Sequence, residues 1–332
     1  MNKRSTTVWI GYGALLGLLL TIPLFTDEAY VFHILCLIGI NIIFACSLNT
    51  ILNIGELNLA HAAFMGIGAY ASTLLVMRLS FSFWLAMPLA MVAAAIISLA
   101  IGFLTLRFKG AYFLLFTFLF AELVRILLSN FWIGLFGGIP GLTNIPRPSI
   151  QIPWLFHLEF SSNKDFYYLI LVMVVITVFV MRRMDQSRLG MVFRAISQSE
   201  TLTESIGISS MKFKILGCAI GCLFAGLAGS LYAHFVRIIT PADFSIHAVL
   251  TPIAYVVVGG MGSVFGPVIG TSFLMILSHF FLREFGLYEL LLYGVIIVLI
   301  ILTVISRTRW FQAGWAGGKR LIMSPFRRKK AP

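Results

Sequence analysis

The chain has 332 residues, 60% of them hydrophobic and only 11% charged, and its mean hydropathy is +0.99. A soluble domain is about a quarter charged and has no place for uncharged runs longer than about 18 residues, so a large soluble protein is excluded and an integral membrane domain is expected. The net charge of +12 does not mark a nucleic-acid binder, because a basic surplus in a membrane protein collects on the cytoplasmic side.

In chain order, the opening stretch MNKRSTTVWIGYGALLGLLLTIPLF has the two basic residues and apolar run of a signal peptide. No small-residue cleavage site follows and the run is long enough to span, so it reads as a retained helix. Apolar runs fall at 8–25, 29–54, 62–77, 79–106, 110–128, 166–181, 215–236, 244–282 and 287–306. The 39 residues of 244–282 contain no Asp, Glu, Lys or Arg. As one helix they would measure about 58 Å, nearly twice the ~30 Å hydrocarbon core. They are predicted to be two crossings broken near Gly259, Gly260 and Gly262, which makes ten spans.

Ten spans put both termini on one side. If that side is the cytoplasm, eighteen lysines and arginines lie inside, against five outside: Arg78, Arg147, Lys164, Arg237 and Arg283. This asymmetry satisfies the positive-inside rule. The expected fold is all-α, a polytopic helical bundle forming one transmembrane domain over 1–306, with a basic cytoplasmic tail at 307–332. The outer segment 131–165 is rich in Gly and Pro and is predicted neither to span nor to form one regular helix. It reads as a connecting loop or as a periplasmic surface for a delivering partner. Cys36, Cys46, Cys218 and Cys222 all lie in apolar runs and read as small core residues, with no metal site.

One internal segment, 182–214, looks like soluble protein. Leu189, Val192, Phe193 and Ile196 follow helical spacing and leave Arg188 and Arg194 facing elsewhere. Ser197-x-x-Glu200 and Thr201-x-x-Glu204 have capping-box spacing for a second short helix, which Gly207 can end in the left-handed conformation. Two short helices with a small apolar face at the membrane surface suit a docking element for a motor subunit.

Asn53, Glu56, Asn58 and His61 fall at a membrane boundary, where polar groups face a pathway or simply mark the cytoplasmic edge and are solvated by water. Gly259, Gly260, Gly262, Gly266 and Pro267 surround the predicted break. There the spacing of Gly262, Gly266 and Gly270 lets helix backbones approach, and free backbone groups could line a cavity. Glu122 and Arg125, one turn apart inside a span, are expected to pair, since an uncompensated charge there costs at least about 2.5–3.5 kcal/mol. The chain has no HExxH motif, no GxSxG elbow and no GxxxxGK[ST] phosphate loop, so it is not read as an enzyme and any ATP use must come from another chain.

Four runs occur in order: 55–70, GGIPGLTNIPRP at 137–148, RLGMVFRAISQSE at 188–200 followed by ESIGI, and GGMGSVFGPVIG at 259–270. Together they resemble the M-type permeases of branched-chain amino-acid ABC importers, a family that includes permeases for urea and short amides. In this chain Glu56, Asn58 and Ala60 stand where the family usually has Gln, Ser and Gly. The resemblance implies a multi-pass protein of the bacterial inner membrane, without a cofactor. Its implied partners are a second permease subunit, two cytoplasmic ABC ATPases and a periplasmic solute-binding protein. It also places ATPase coupling in 182–214, with Arg188, Gly190, Arg194, Ala195, Glu200, Glu204 and Gly207 as the coupling residues. The alternatives are a urea or amide permease, or an ion-coupled secondary transporter using Glu122, Arg125 or His61 as a relay.

Overall fold

Lipid offers no partner to a backbone N–H or C=O, so long apolar runs satisfy their own hydrogen bonds as helices. In the computed structural model, which describes residues 28–108, 110–152, 156–159, 162–282, 294, 295 and 298, these helices are α1 (Ala29–Leu52), α2 (His61–Leu79), α3 (Phe83–Thr105), α4 (Ala111–Asn130), α6 (Asn163–Asp185) and α9 (Ser210–Val236). All six are long and apolar enough to cross a membrane. The expected span at 8–25 lies outside the described residues, as does nearly all of 287–306. Two compact units divide the chain, Met1–Ser272 and Phe273–Pro332.

Within the first unit, α9 packs along α1, α2 and α3, and α1 packs along α6. Small residues make the central approach possible. A methyl group on Gly68 would strike the backbone of Gly226, and one on Gly229 would strike the Met65 carbonyl. The core gathers here, with Ile43, Leu48, Phe64, Tyr70, Phe166 and Leu231 almost wholly buried. By contrast, α3 and α4 leave wide apolar faces uncovered, including Leu89, Val92, Ile96, Leu119 and Leu123.

The expected run at 79–106 begins as a helix only at Phe83. Ser80 is left-handed at φ 53° and closes α2, and Ser82 is extended. The outer segment is irregular, as its Gly and Pro content predicts. Among its described residues before α6 it holds a four-residue helix, α5 (Ile133–Phe136), and a hairpin of β1 (Ser149–Ile152) antiparallel to β2 (Phe156–Glu159). This segment is strapped to the C-terminal end of α9: Leu142 and Ile239 exchange both backbone hydrogen bonds. His234 Nδ1 donates to Pro146 O at 2.7 Å, and Arg237 Nε donates to Ile145 O at 3.2 Å.

The run at 244–282 differs from two full-length crossings. A 3-10 turn at Pro241–Phe244 precedes α10 (His247–Gly259), and α11 (Phe265–Ile276) follows a break at residues 260–264. The thirteen residues of α10 reach about 20 Å, short of the ~30 Å hydrocarbon core, because the turn at Pro241–Phe244 and the break at 260–264 bound it on either side.

Candidate functional site

The 182–214 segment folds into two short helices, α7 (Arg188–Gln198) and α8 (Glu200–Ser205). Ser187 caps α7, its Oγ accepting from Leu189 N–H at 3.2 Å. Gly190 is buried because its Cα lies against the backbone of Asp185, and the Asp185 carboxylate receives the Arg194 guanidinium. Phe193 and Ile196 turn inward and form a small apolar cluster with Ile54, as the helical spacing requires. Arg188 and Arg194 face outward.

Neither predicted capping box forms. Ser197 is still inside α7, which runs on to Gln198 so that Ile196 can reach Ile54. Ser199, extended at φ −162°, is the N-cap of α8 and accepts from Leu202 N–H at 3.3 Å. The expected stop is present. Gly207, at φ +86°, donates its N–H to Glu204 O at 2.9 Å while Ile208 N–H reaches back to Thr203 O, the paired bonds of a Schellman termination. Ala195 contributes its carbonyl, which accepts from Ser199 N–H.

The turn between α1 and α2 lies directly against this hairpin. Gly55 is left-handed, and a methyl group there would sit 3.2 Å from Ser197 Cα. Next to it, Lys214 at the start of the second turn of α9 is only 5% exposed. Its ammonium donates to Glu56 Oε1 at 2.8 Å and to Glu200 Oε1 at 3.1 Å. Glu56 and Glu200, which are 144 positions apart, thus meet on one cation, beside a cleft of about 410 Å³ lined also by Phe113, Leu114, Ser197 and Ser199. Sequence reasoning passed over Lys214. The available signal was a lysine entering an apolar helix, Lys214 after Lys212, where a buried ammonium requires anionic partners.

The other boundary residues are occupied structurally. Asn53 closes α1, its N–H donating to Asn49 O. Asn58 is buried and its Oδ1 accepts from Ala60 N–H at 2.8 Å, which shapes the entry to α2. His61 is not at a water-solvated edge: it is fully buried, stacked on Phe44 at 5.0 Å, with Nε2 2.8 Å from Ser47 Oγ.

The break lies against the last turns of α1. Asn49 Nδ2 donates to Ser263 O at 3.2 Å, and Arg182 sits 5.4 Å over the Phe265 ring. Close backbone approach involves Gly259, Gly266 and Gly270 rather than Gly262. Gly260 and Gly262 instead form the open turn with φ +102° and +85°. Pro267 stands in the first turn of α11, where its missing N–H leaves no helix bond unmade. Glu122 and Arg125 pair on α4, each about one third exposed. Among the described residues no three His, Cys, Asp or Glu gather to hold a metal ion.

These features define a multi-pass membrane protein whose polar hairpin is built into the foot of its helical bundle. The family model described as "Branched-chain amino acid transport system / permease component" matches residues 30–303, and the chain belongs to that family. It is 33% identical over 313 residues to the high-affinity branched-chain amino acid transport system permease protein LivM of Escherichia coli (strain K12), covering 87% of this chain and 72% of that protein. Identity to the Salmonella typhimurium LivM is also 33%, over 79% of this chain and 66% of that protein. The LivH permease of E. coli K12 is 25% identical over 65% of this chain and 73% of its own length. No solved structure matches the chain.

Proposed function

We propose that the chain is a transmembrane permease subunit of a bacterial inner-membrane ABC importer for leucine, isoleucine and valine. It pairs with a second, unlike permease, receives solute from a periplasmic binding protein at the outer segment, and moves it inward by alternating access driven by two cytoplasmic ATPases. LivM and LivH are both named as permeases of a branched-chain amino acid system, and similarity to both supports the substrate and the paired permease. In this reading residues 1–306 form the transmembrane domain and 307–332 a cytoplasmic tail.

The observation that carries the ATPase assignment is the outer face of the hairpin. Met191, Leu202 and Ile206 are 58%, 70% and 72% exposed, on two helices whose inner face is already packed. Arg188, Arg194 and Glu204 surround them. Apolar side chains ringed by charge are what a docking partner buries. The ion-coupled alternative gains no support, since His61 is enclosed and bonded and Glu122 and Arg125 are closed on each other.

Leu202→Asp with Ile206→Asp is expected to abolish ATP-dependent leucine uptake in proteoliposomes and to release the ATPases during purification, while membrane insertion is unchanged. Normal uptake by this variant would remove the docking assignment.

A further inference from the structure

We infer that Lys214 is a positioning residue that fixes the α7–α8 hairpin to the α1–α2 turn and to α9, so that movement of the hairpin is delivered to both helices; this rests on the importer reading above. Three separate parts of the chain contribute to one buried ionic contact. Glu56 comes from the turn, Glu200 from the N-terminus of α8, and Lys214 from the second turn of α9, at 2.8 and 3.1 Å. The apolar cluster of Ile54, Phe193 and Ile196 supplies adhesion between hairpin and turn, but apolar contact is non-directional and tolerates sliding. The ion contact sets the register. A buried ion pair adds little net stability over an apolar replacement, whereas removing one partner leaves an uncompensated buried charge.

The geometry also dictates an order of effects. Two carboxylates share one ammonium, so removing the ammonium takes away the cation held between Glu56 and Glu200, and the added repulsion beside the Gly55–Ser197 contact would loosen hairpin from turn. Neutralising Glu56 as well removes that repulsion. Replacing Glu56 alone by glutamine leaves the Lys214–Glu200 pair intact and keeps an oxygen acceptor for the ammonium.

The test uses the complete importer in proteoliposomes, measuring leucine transported per ATP hydrolysed. Lys214→Met is expected to lower this ratio about tenfold, with the ATPases retained at wild-type stoichiometry. Lys214→Met with Glu56→Gln is expected to recover to within about threefold of wild type, the non-additivity that identifies a direct interaction. Lys214→Arg and Glu56→Gln should stay near the wild-type ratio. A second readout, amide hydrogen exchange at residues 55–57 and 197–200 in the purified permease, should rise about tenfold in Lys214→Met alone. An unchanged ratio in Lys214→Met, a double variant no better than the single one, or loss of the ATPases from Lys214→Met would each overturn the inference. A wild-type complex without ATP-dependent uptake would overturn the importer reading instead, while the exchange measurement would still judge the contact.

Discussion

Gly229 occupies a position where one added carbon lands on the Met65 carbonyl oxygen, while Gly134, on the short outer helix, has nothing within 4 Å of the same carbon. The two positions therefore answer differently to the same substitution. Gly229→Ala forces α9 away from α2 and should destabilise the purified protein by about 1–3 kcal/mol, whereas Gly134→Ala should leave its thermal midpoint in detergent unchanged. Equal midpoints for both would contradict the close packing of these helices. Other residues change meaning once their surroundings are known. His61 reads in sequence as a boundary residue, since Glu56 and Asn58 precede it, yet its ring lies in the core on Phe44. Its partners are contributed by α1, fourteen and more positions earlier, and no local spacing announces them. Glu122 and Arg125, by contrast, were readable because both members of the pair lie on one helix turn.

At the scale of elements, what is local in sequence was legible and what depends on packing was not. The two-helix form of 182–214, the inward pair Phe193 and Ile196, and the Gly207 stop all follow from spacing within a few residues. The joint between α7 and α8 did not, since Ser197, Ser199 and Thr201 all have side chains able to cap a helix. The choice fell to Ser199 because Ile54, in the turn after α1, packs on Ile196 and keeps α7 helical as far as Gln198. Ser199→Ala should therefore cost about 1 kcal/mol and speed amide exchange across α8, with Thr201→Ala having little effect. Greater sensitivity at Thr201 would show that the cap lies elsewhere. The run at 244–282 illustrates the same limit: composition predicted a break near the glycines, but Pro241–Phe244 returns into the bundle between α2 and α4, a turn whose only local signals are its proline and the Thr240–Asp243 capping box.

For the molecule as a whole, the surplus of basic residues is the ground for proposing that the hairpin faces the cytoplasm and the strapped segment the outside. The four native cysteines are all buried and offer a quiet background for testing this. Ser205→Cys should react with a membrane-impermeant maleimide only in inverted vesicles, and Thr143→Cys only in intact cells. Labelling of Ser205→Cys in intact cells would invert the topology. Within this frame α9 has an unusual position. Lys214 binds its lower end to the hairpin, His234 and Arg237 bind its upper end to the outer strap, and Gly226 and Gly229 press its middle against α3 and α2. That arrangement is a lever with a fulcrum, its arms about 18 Å below Gly226 and about 12 Å above Gly229. A tilt of about 5° carries the lower end about 1.6 Å one way and the upper end about 1 Å the other. In the proposed importer, a stiff α9 pivoting there would move its two ends in opposite senses, with the larger stroke at the hairpin.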